Sequence, residues 1–95
     1  MRAYELIAIL NPELDEEKAG ATVDKVEKLI SSHGGTVDNT SHWGKRRLAY
    51  EIGGHREGNY VVMNFHGRPD TVRELDRVLK ITDEVIRYLI VKQET

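Results

Sequence analysis

Cysteine is absent from the 95 residues. That excludes disulfide frameworks, thiol nucleophiles and thiolate metal sites together, and it fits a reducing compartment. Long apolar runs are missing too. The longest is Leu6-Ile7-Ala8-Ile9-Leu10, whereas a membrane-spanning helix takes about 20 such residues. The start, Met1-Arg2-Ala3-Tyr4-Glu5, sets a carboxylate before that run and offers no small-residue cleavage site, so no secretory signal is expected. Net positive charge is also lacking. Fourteen basic residues stand against sixteen acidic ones, net −2. Taken alone, that argues against nucleic-acid binding, which usually goes with a basic chain.

What is there suits one small domain, residues 1–95. Hydrophobic residues make up 39 % and charged residues 32 %, enough apolar material for a core and too much for a disordered chain. The near-neutral total also hides a partition. Residues 11–39 hold seven acids and three bases, while residues 40–68 hold five bases and two acids. A neutral sum thus conceals an acidic segment beside a basic one.

Residues 4–10 are almost continuously apolar and read as a central strand stopped by Asn11-Pro12. Asp15 predicts a helix N-cap, with Glu16 and Glu17 in the first turn and Leu14 with Ala19 as a hydrophobic staple. Ala19, Val23, Val26 and Ile30 form one helical stripe, closed at Ser31-Ser32-His33 with Gly34-Gly35 as a left-handed cap. Thr36 to Ile52 reads as a long strand, residues 53–58 as a hairpin loop, and Asn59 to His66 as the next strand. A loop centred between His55 and Arg56 would set Tyr50 opposite Val61, Leu48 opposite Met63 and Arg46 opposite Phe65. That register assigns Leu48, Tyr50 and Ile52 to the core and sends Lys45, Arg47, Tyr60, Asn64 and His66 outside. Thr71 and Glu74 have capping-box spacing for a second helix to about Lys80, striped by Val72, Leu75, Val78 and Leu79. Val85 to Lys92 is a last strand, and Gln93-Glu94-Thr95 a short tail. The order predicts an α+β fold of ferredoxin-like β-α-β-β-α-β type, a four-stranded antiparallel sheet with two helices on one face. Such a fold carries many functions, so function has to come from sites.

Enzymatic sites are poorly supported. A phosphate cradle after the first strand would want glycines, and Asn11-Pro12-Glu13-Leu14-Asp15 has none and carries acids. The four histidines show no i, i+4 pair and no glutamate in a zinc-type frame, so no metal is expected. Ser31, Ser32 and Ser41 sit on no strained elbow. Base stacking of the RNA-recognition-motif kind needs a basic-Gly-aromatic pattern, and of Glu57-Gly58-Asn59-Tyr60-Val61 only the glycine matches. The informative stretch is Trp43-Gly44-Lys45-Arg46-Arg47-Leu48-Ala49-Tyr50-Glu51-Ile52. Three consecutive cations on an edge strand, with Arg56 beyond, suit phosphate contacts. They also suit simple protection of an edge against aggregation. The residues alone leave both readings open.

That same stretch, from Gly44 to Ile52, resembles the signature of the bacterial small-subunit ribosomal protein S-six family: Gly, a basic pair, then Leu-Ala-Tyr-x-Ile. The opening Met1-Arg2-Ala3-Tyr4-Glu5 with Asn11-Pro12, and the closing Arg87-Tyr88-Leu89-Ile90-Val91-Lys92, are similar to the family's ends. The resemblance covers essentially the whole chain. It implies a structural, non-catalytic role in the cytoplasm, within the ribosome, with no cofactor, no membrane and no small-molecule substrate. It also implies binding to the central domain of small-subunit ribosomal RNA as a heterodimer with small-subunit protein eighteen. On that analogy Lys45, Arg46, Arg47 and Arg56 are candidates for phosphate contacts, with Arg2, Arg87 and Lys92 as a second group near the strand ends. Trp43, Tyr60 and Val62 are candidates for contact with the partner protein, although each also fits an ordinary packing role. Arg46 has an alternative as a cover for the core edge near Phe65, and Arg87 as a partner of Glu5. Some members carry a long acidic C-terminal extension; with the sequence ending at Thr95, no function of such a tail is expected. The rival reading of the fold is a small-molecule-sensing regulatory domain.

Overall fold

The structure, a computed structural model, describes residues 1–93, so Glu94 and Thr95 of the expected tail lie outside the described residues. Its elements are β1 (Arg2–Leu10), α1 (Glu16–Ser32), β2 (Thr36–Ile52), β3 (His55–Gly67), α2 (Pro69–Lys80) and β4 (Val85–Lys92). The sheet order is β2-β3-β1-β4, antiparallel throughout, so β1 and β3 are central and β2 and β4 are edges. This is the ferredoxin-like arrangement the element order predicts.

Strand alternation sorts the side chains. Tyr4, Leu6, Ala8 and Leu10 of β1 face the same side as Val61, Met63 and Phe65 of β3. Both helices cover that side, through Val23, Val26 and Ile30 of α1 and Leu75 and Leu79 of α2. Phe65 is fully buried and stacks on Tyr4 with ring centroids 5.5 Å apart. Among the described residues no helix covers the opposite face of the sheet. Ile7, Ile9, Tyr60, Val62, Asn64, His66, Arg87, Leu89 and Val91 belong to it.

The helix ends show why α1 and α2 start and stop where they do. The Lys18 N–H donates to the Asp15 carboxylate at 2.8 Å, the N-cap bond expected of Asp15. At the other end Gly34 takes φ +79°, and the Gly35 N–H donates to the Ile30 carbonyl at 2.9 Å. Helix α2 starts two residues before Thr71. Pro69 occupies its first turn, where the missing N–H costs nothing. Thr71 is therefore inside the helix. Its hydroxyl accepts from the Arg68 N–H and donates to the His33 carbonyl at 2.6 Å. That bond ties the end of α1 to the start of α2.

Tyr88 on β4 reaches over to α2, where its hydroxyl donates to the Asp76 carboxylate at 2.5 Å. Burial and the adjacent carboxylate push the Tyr88 phenol up to about 12, and the same bond, with help from Lys80, holds Asp76 below its usual range. A phenol raised on folding contributes stability that is complete below its unfolded value near 10 and is lost as pH climbs towards 12. Urea midpoints across that alkaline window are expected to fall less for Tyr88→Phe than for the parent chain. Equal slopes would contradict the assignment.

Candidate nucleic-acid interface

The hairpin between β2 and β3 positions most of the candidate residues, and its register differs from the one read in the sequence. Gly53 and Gly54, with φ of +55° and +83°, form a two-residue turn flanked by the pair Ile52 and His55. Positive φ at both central residues is the type I′ demand that glycine meets most easily. Residues 55–58 are thus strand rather than loop. The pairing then slips at three places, between Val37 and Asn39, His42 and Gly44, and Arg47 and Ile52. As a result Arg46 lies opposite Gly58 rather than Phe65, and Lys45 lies opposite Asn59. The faces are exchanged. Lys45 shares the helix side with Leu10, while Arg46 is on the open face; Tyr60, Asn64 and His66 do lie on the open face as expected.

Each slip re-aims a side chain, as bulges do. Asp38, the extra residue at the first slip, meets the His66 ring at 2.5 Å. Trp43 is the extra residue at the second, and Gly44 beside it takes φ +79°. Trp43 swings onto Tyr60, with ring centroids 6.4 Å apart and planes 14° from parallel. The Arg46 guanidinium lies over the same indole, 5.2 Å from its centroid. At the third slip Leu48, Ala49, Tyr50 and Glu51 face Arg56 alone. This excess bows the strand over the open face. Leu48 is buried there, beside Ile9 and the backbone of Gly58, apart from the main core. Tyr50 is not a core residue; it is 61 % exposed. Its hydroxyl accepts from Arg87 Nη1, and the Arg87 guanidinium lies 5.8 Å from the ring centroid. Arg87 therefore pairs with Tyr50, not Glu5.

Because β1 ends opposite Asn59, residues 46–58 extend past it as an arm, with Lys45 at its base. Lys45, Arg46, Arg47 and Arg56 are all exposed on this arm, against Glu51 and Glu57. Arg87, opposite Ile9, joins them through Tyr50. Arg2 and Lys92 do not. They sit at the other end of the sheet, opposite Gly67 and Tyr4, and Lys92 is five residues along β4 from Arg87, roughly 17 Å at strand spacing. Of the partner-contact candidates, Trp43 is 49 % exposed and stacked on Tyr60, whereas Val62 is only 5 % exposed. Tyr50 was missed as a surface residue. The Gly53-Gly54 pair was the available signal, since a two-residue turn there rules out the register read from a longer loop; the bulge that lifts Tyr50 out left no such mark.

The arrangement has the chemistry of a polyanion surface. Two guanidinium groups are held by aromatic rings, with further cations on both sides of one projecting ribbon. Among the described residues no three His, Asp or Glu side chains converge to hold a metal.

The family model described as ribosomal protein S6 matches residues 3–92. The chain is similar to the small ribosomal subunit protein bS6 of Symbiobacterium thermophilum, 56 % identical over 97 % of both sequences. It is likewise similar to that of Desulfitobacterium hafniense, 46 % identical over 99 % of both. The crystal structure of 30S ribosomal protein S6 from Thermotoga maritima superposes with a TM-score of 0.92 at 32 % identity, covering 97 % of this chain and 87 % of that one.

Proposed function

The chain belongs to the ribosomal protein S6 family, and from that premise we propose that its arm binds the central domain of small-subunit ribosomal RNA in company with small-subunit protein eighteen. The protein is a structural, non-catalytic constituent of the small ribosomal subunit, cytoplasmic within the ribosome. The small-molecule-sensing alternative is not favoured by that membership.

The observation that carries the proposal is the cationic arm. Arg46, Arg47 and Arg56 project beyond β1 with Lys45 at the base, and Arg46 and Arg87 are pre-set by Trp43 and Tyr50. Guanidinium groups already held in place lose less freedom on meeting phosphate. Recognition by backbone charge and shape, more than by base edges, fits a structured RNA. Arg2 and Lys92 form a second, distant cationic pair and would touch a different stretch of RNA. For the partner protein, exposed Trp43 stacked on half-buried Tyr60 offers aromatic surface, and Val62 lies buried on the same face of β3. A partner that brings further cations also accounts for a net charge of only −2 on this chain.

The test is a gel-shift titration of a central-domain RNA fragment, with and without protein eighteen, at two salt concentrations. Binding that requires or tightens with the partner, and weakens as salt rises, is the expected result. Failure to bind under either condition, with both proteins folded, would overturn the proposal.

A further inference from the structure

We infer that β4 is a self-association edge, through which two free copies of the chain pair antiparallel about a two-fold axis at Ile90. The seam would join two four-stranded sheets into one.

The edge is open and chemically prepared. The Gln93 N–H donates to the Ala3 carbonyl at 2.9 Å. In an antiparallel pair that sets the alternation: Leu89 and Val91 bond to β1, while the N–H and C=O groups of Tyr88, Ile90 and Lys92 point away from it. Natural edges are usually blunted by charge, proline or a bulge. Here the irregularity lies at Ile9/Leu10 and Val85, and Lys92 marks the other end. The run Tyr88-Leu89-Ile90-Val91 between them has no such guard. On the open face Leu89 is 58 % and Val91 39 % exposed. On the helix side a groove of about 570 Å³ runs between α2 and β4, lined by Val72, Arg73, Asp76, Tyr88 and Ile90 among others.

A second copy fits this edge in one register better than in its neighbours. With Ile90 opposite Ile90, Leu89 faces Val91 of the second copy, twice over, and joins the two exposed apolar patches. Tyr88 then faces Lys92 of the second copy. That ammonium arrives beside Asp76, which accepts from the Tyr88 hydroxyl and pairs with Lys80 at 3.1 Å, so it joins an existing charge cluster. The cation thus meets a carboxylate at both ends of the seam. Sliding towards a Tyr88–Tyr88 pair would set Lys92 opposite Glu84, whose carbonyl is engaged by the Asn11 N–H. The intermediate register would place Arg87 against Val91. An isologous two-fold contact is the commonest closed assembly. A seam with three outward-facing residues per strand falls below the usual size of a stable interface, so the dimer is weak and forms at micromolar to millimolar concentration.

Sedimentation equilibrium across that concentration range tests it, paired with amide hydrogen exchange at the two ends of the range. The expected result is a mass rising from one chain to two. Protection of the Tyr88, Ile90 and Lys92 amides should rise with it, while Leu89 and Val91 stay protected throughout. Leu89→Lys, at an exposed position, should raise the dissociation constant by about tenfold or more, with Lys92→Glu as a second variant that sets like charge against Asp76. A one-chain mass at every concentration would overturn the inference. So would a dimer whose Tyr88, Ile90 and Lys92 amides gain no protection, or one that both variants leave intact.

Discussion

Changing Lys45, Arg46 and Arg47 together to glutamate is expected to lower affinity for the central-domain RNA fragment by about a hundredfold or more at physiological salt, without unfolding the chain. The size of the effect follows from where the bulges put these residues. Alternation sends Lys45 and Arg47 to one side of the arm and Arg46 to the other. A phosphate backbone crossing the arm therefore meets cations on both sides. All three are exposed and make no ion pair among the described residues, so reversal leaves no buried charge behind. Filter binding gives the affinity, and circular dichroism with thermal melting verifies the fold. Undiminished binding by the folded variant would mean that these cations only protect an edge.

Substitution of Gly58 by valine is expected to lift the arm from the sheet. A Cβ at this position would lie 2.2 Å from Ile9 Cγ2 and 3.4 Å from Leu48 Cδ2. The first distance is far inside contact, and the Ile9 methyl is a branch on a buried strand residue with little room to move. Overfilling of this kind costs about 1–3 kcal/mol. Yielding is easiest on the arm side, because Leu48 packs outside the main core. Amides 45–58 should then exchange faster while β1 and the core of β3 stay protected. RNA affinity should fall as well, because Tyr50 would leave Arg87 and the cations would lose their fixed placement. Uniform loss of protection over the whole chain would instead show that Leu48 and Ile9 belong to the cooperative core.

The sequence was most legible where one local rule acts without a rival. Asp15 capped the first helix, Gly34 ended it, and the stripe Ala19, Val23, Val26 and Ile30 faced the core, because capping and 3.6-residue periodicity both depend on neighbours along the chain. The hairpin was less legible. Period-2 alternation predicts faces only if the register is unbroken, and three slips in β2 break it. Leu48 is buried as expected but on the opposite face of the sheet, and Tyr50 is on the surface. The candidate cations were identified by type and by resemblance to the family. Their grouping was not, since only the fold shows that Arg87 belongs with the arm while Arg2 and Lys92 lie at the far end. Thr71 shows the same limit in a helix: its spacing to Glu74 suited a cap, but Pro69 starts the helix earlier and frees the hydroxyl for the His33 carbonyl.

The central claim is that the arm binds by charge, and the dependence of RNA affinity on salt tests it most directly. Each phosphate neutralised by a cation adds roughly 0.9 to the slope of log affinity against log salt for duplex nucleic acid. Measured with protein eighteen present, the chain with Lys45, Arg46 and Arg47 changed to alanine should show a slope shallower than the parent's by roughly two to three. Parallel lines, with the variant weaker by a constant factor or not at all, would contradict phosphate contact by the arm.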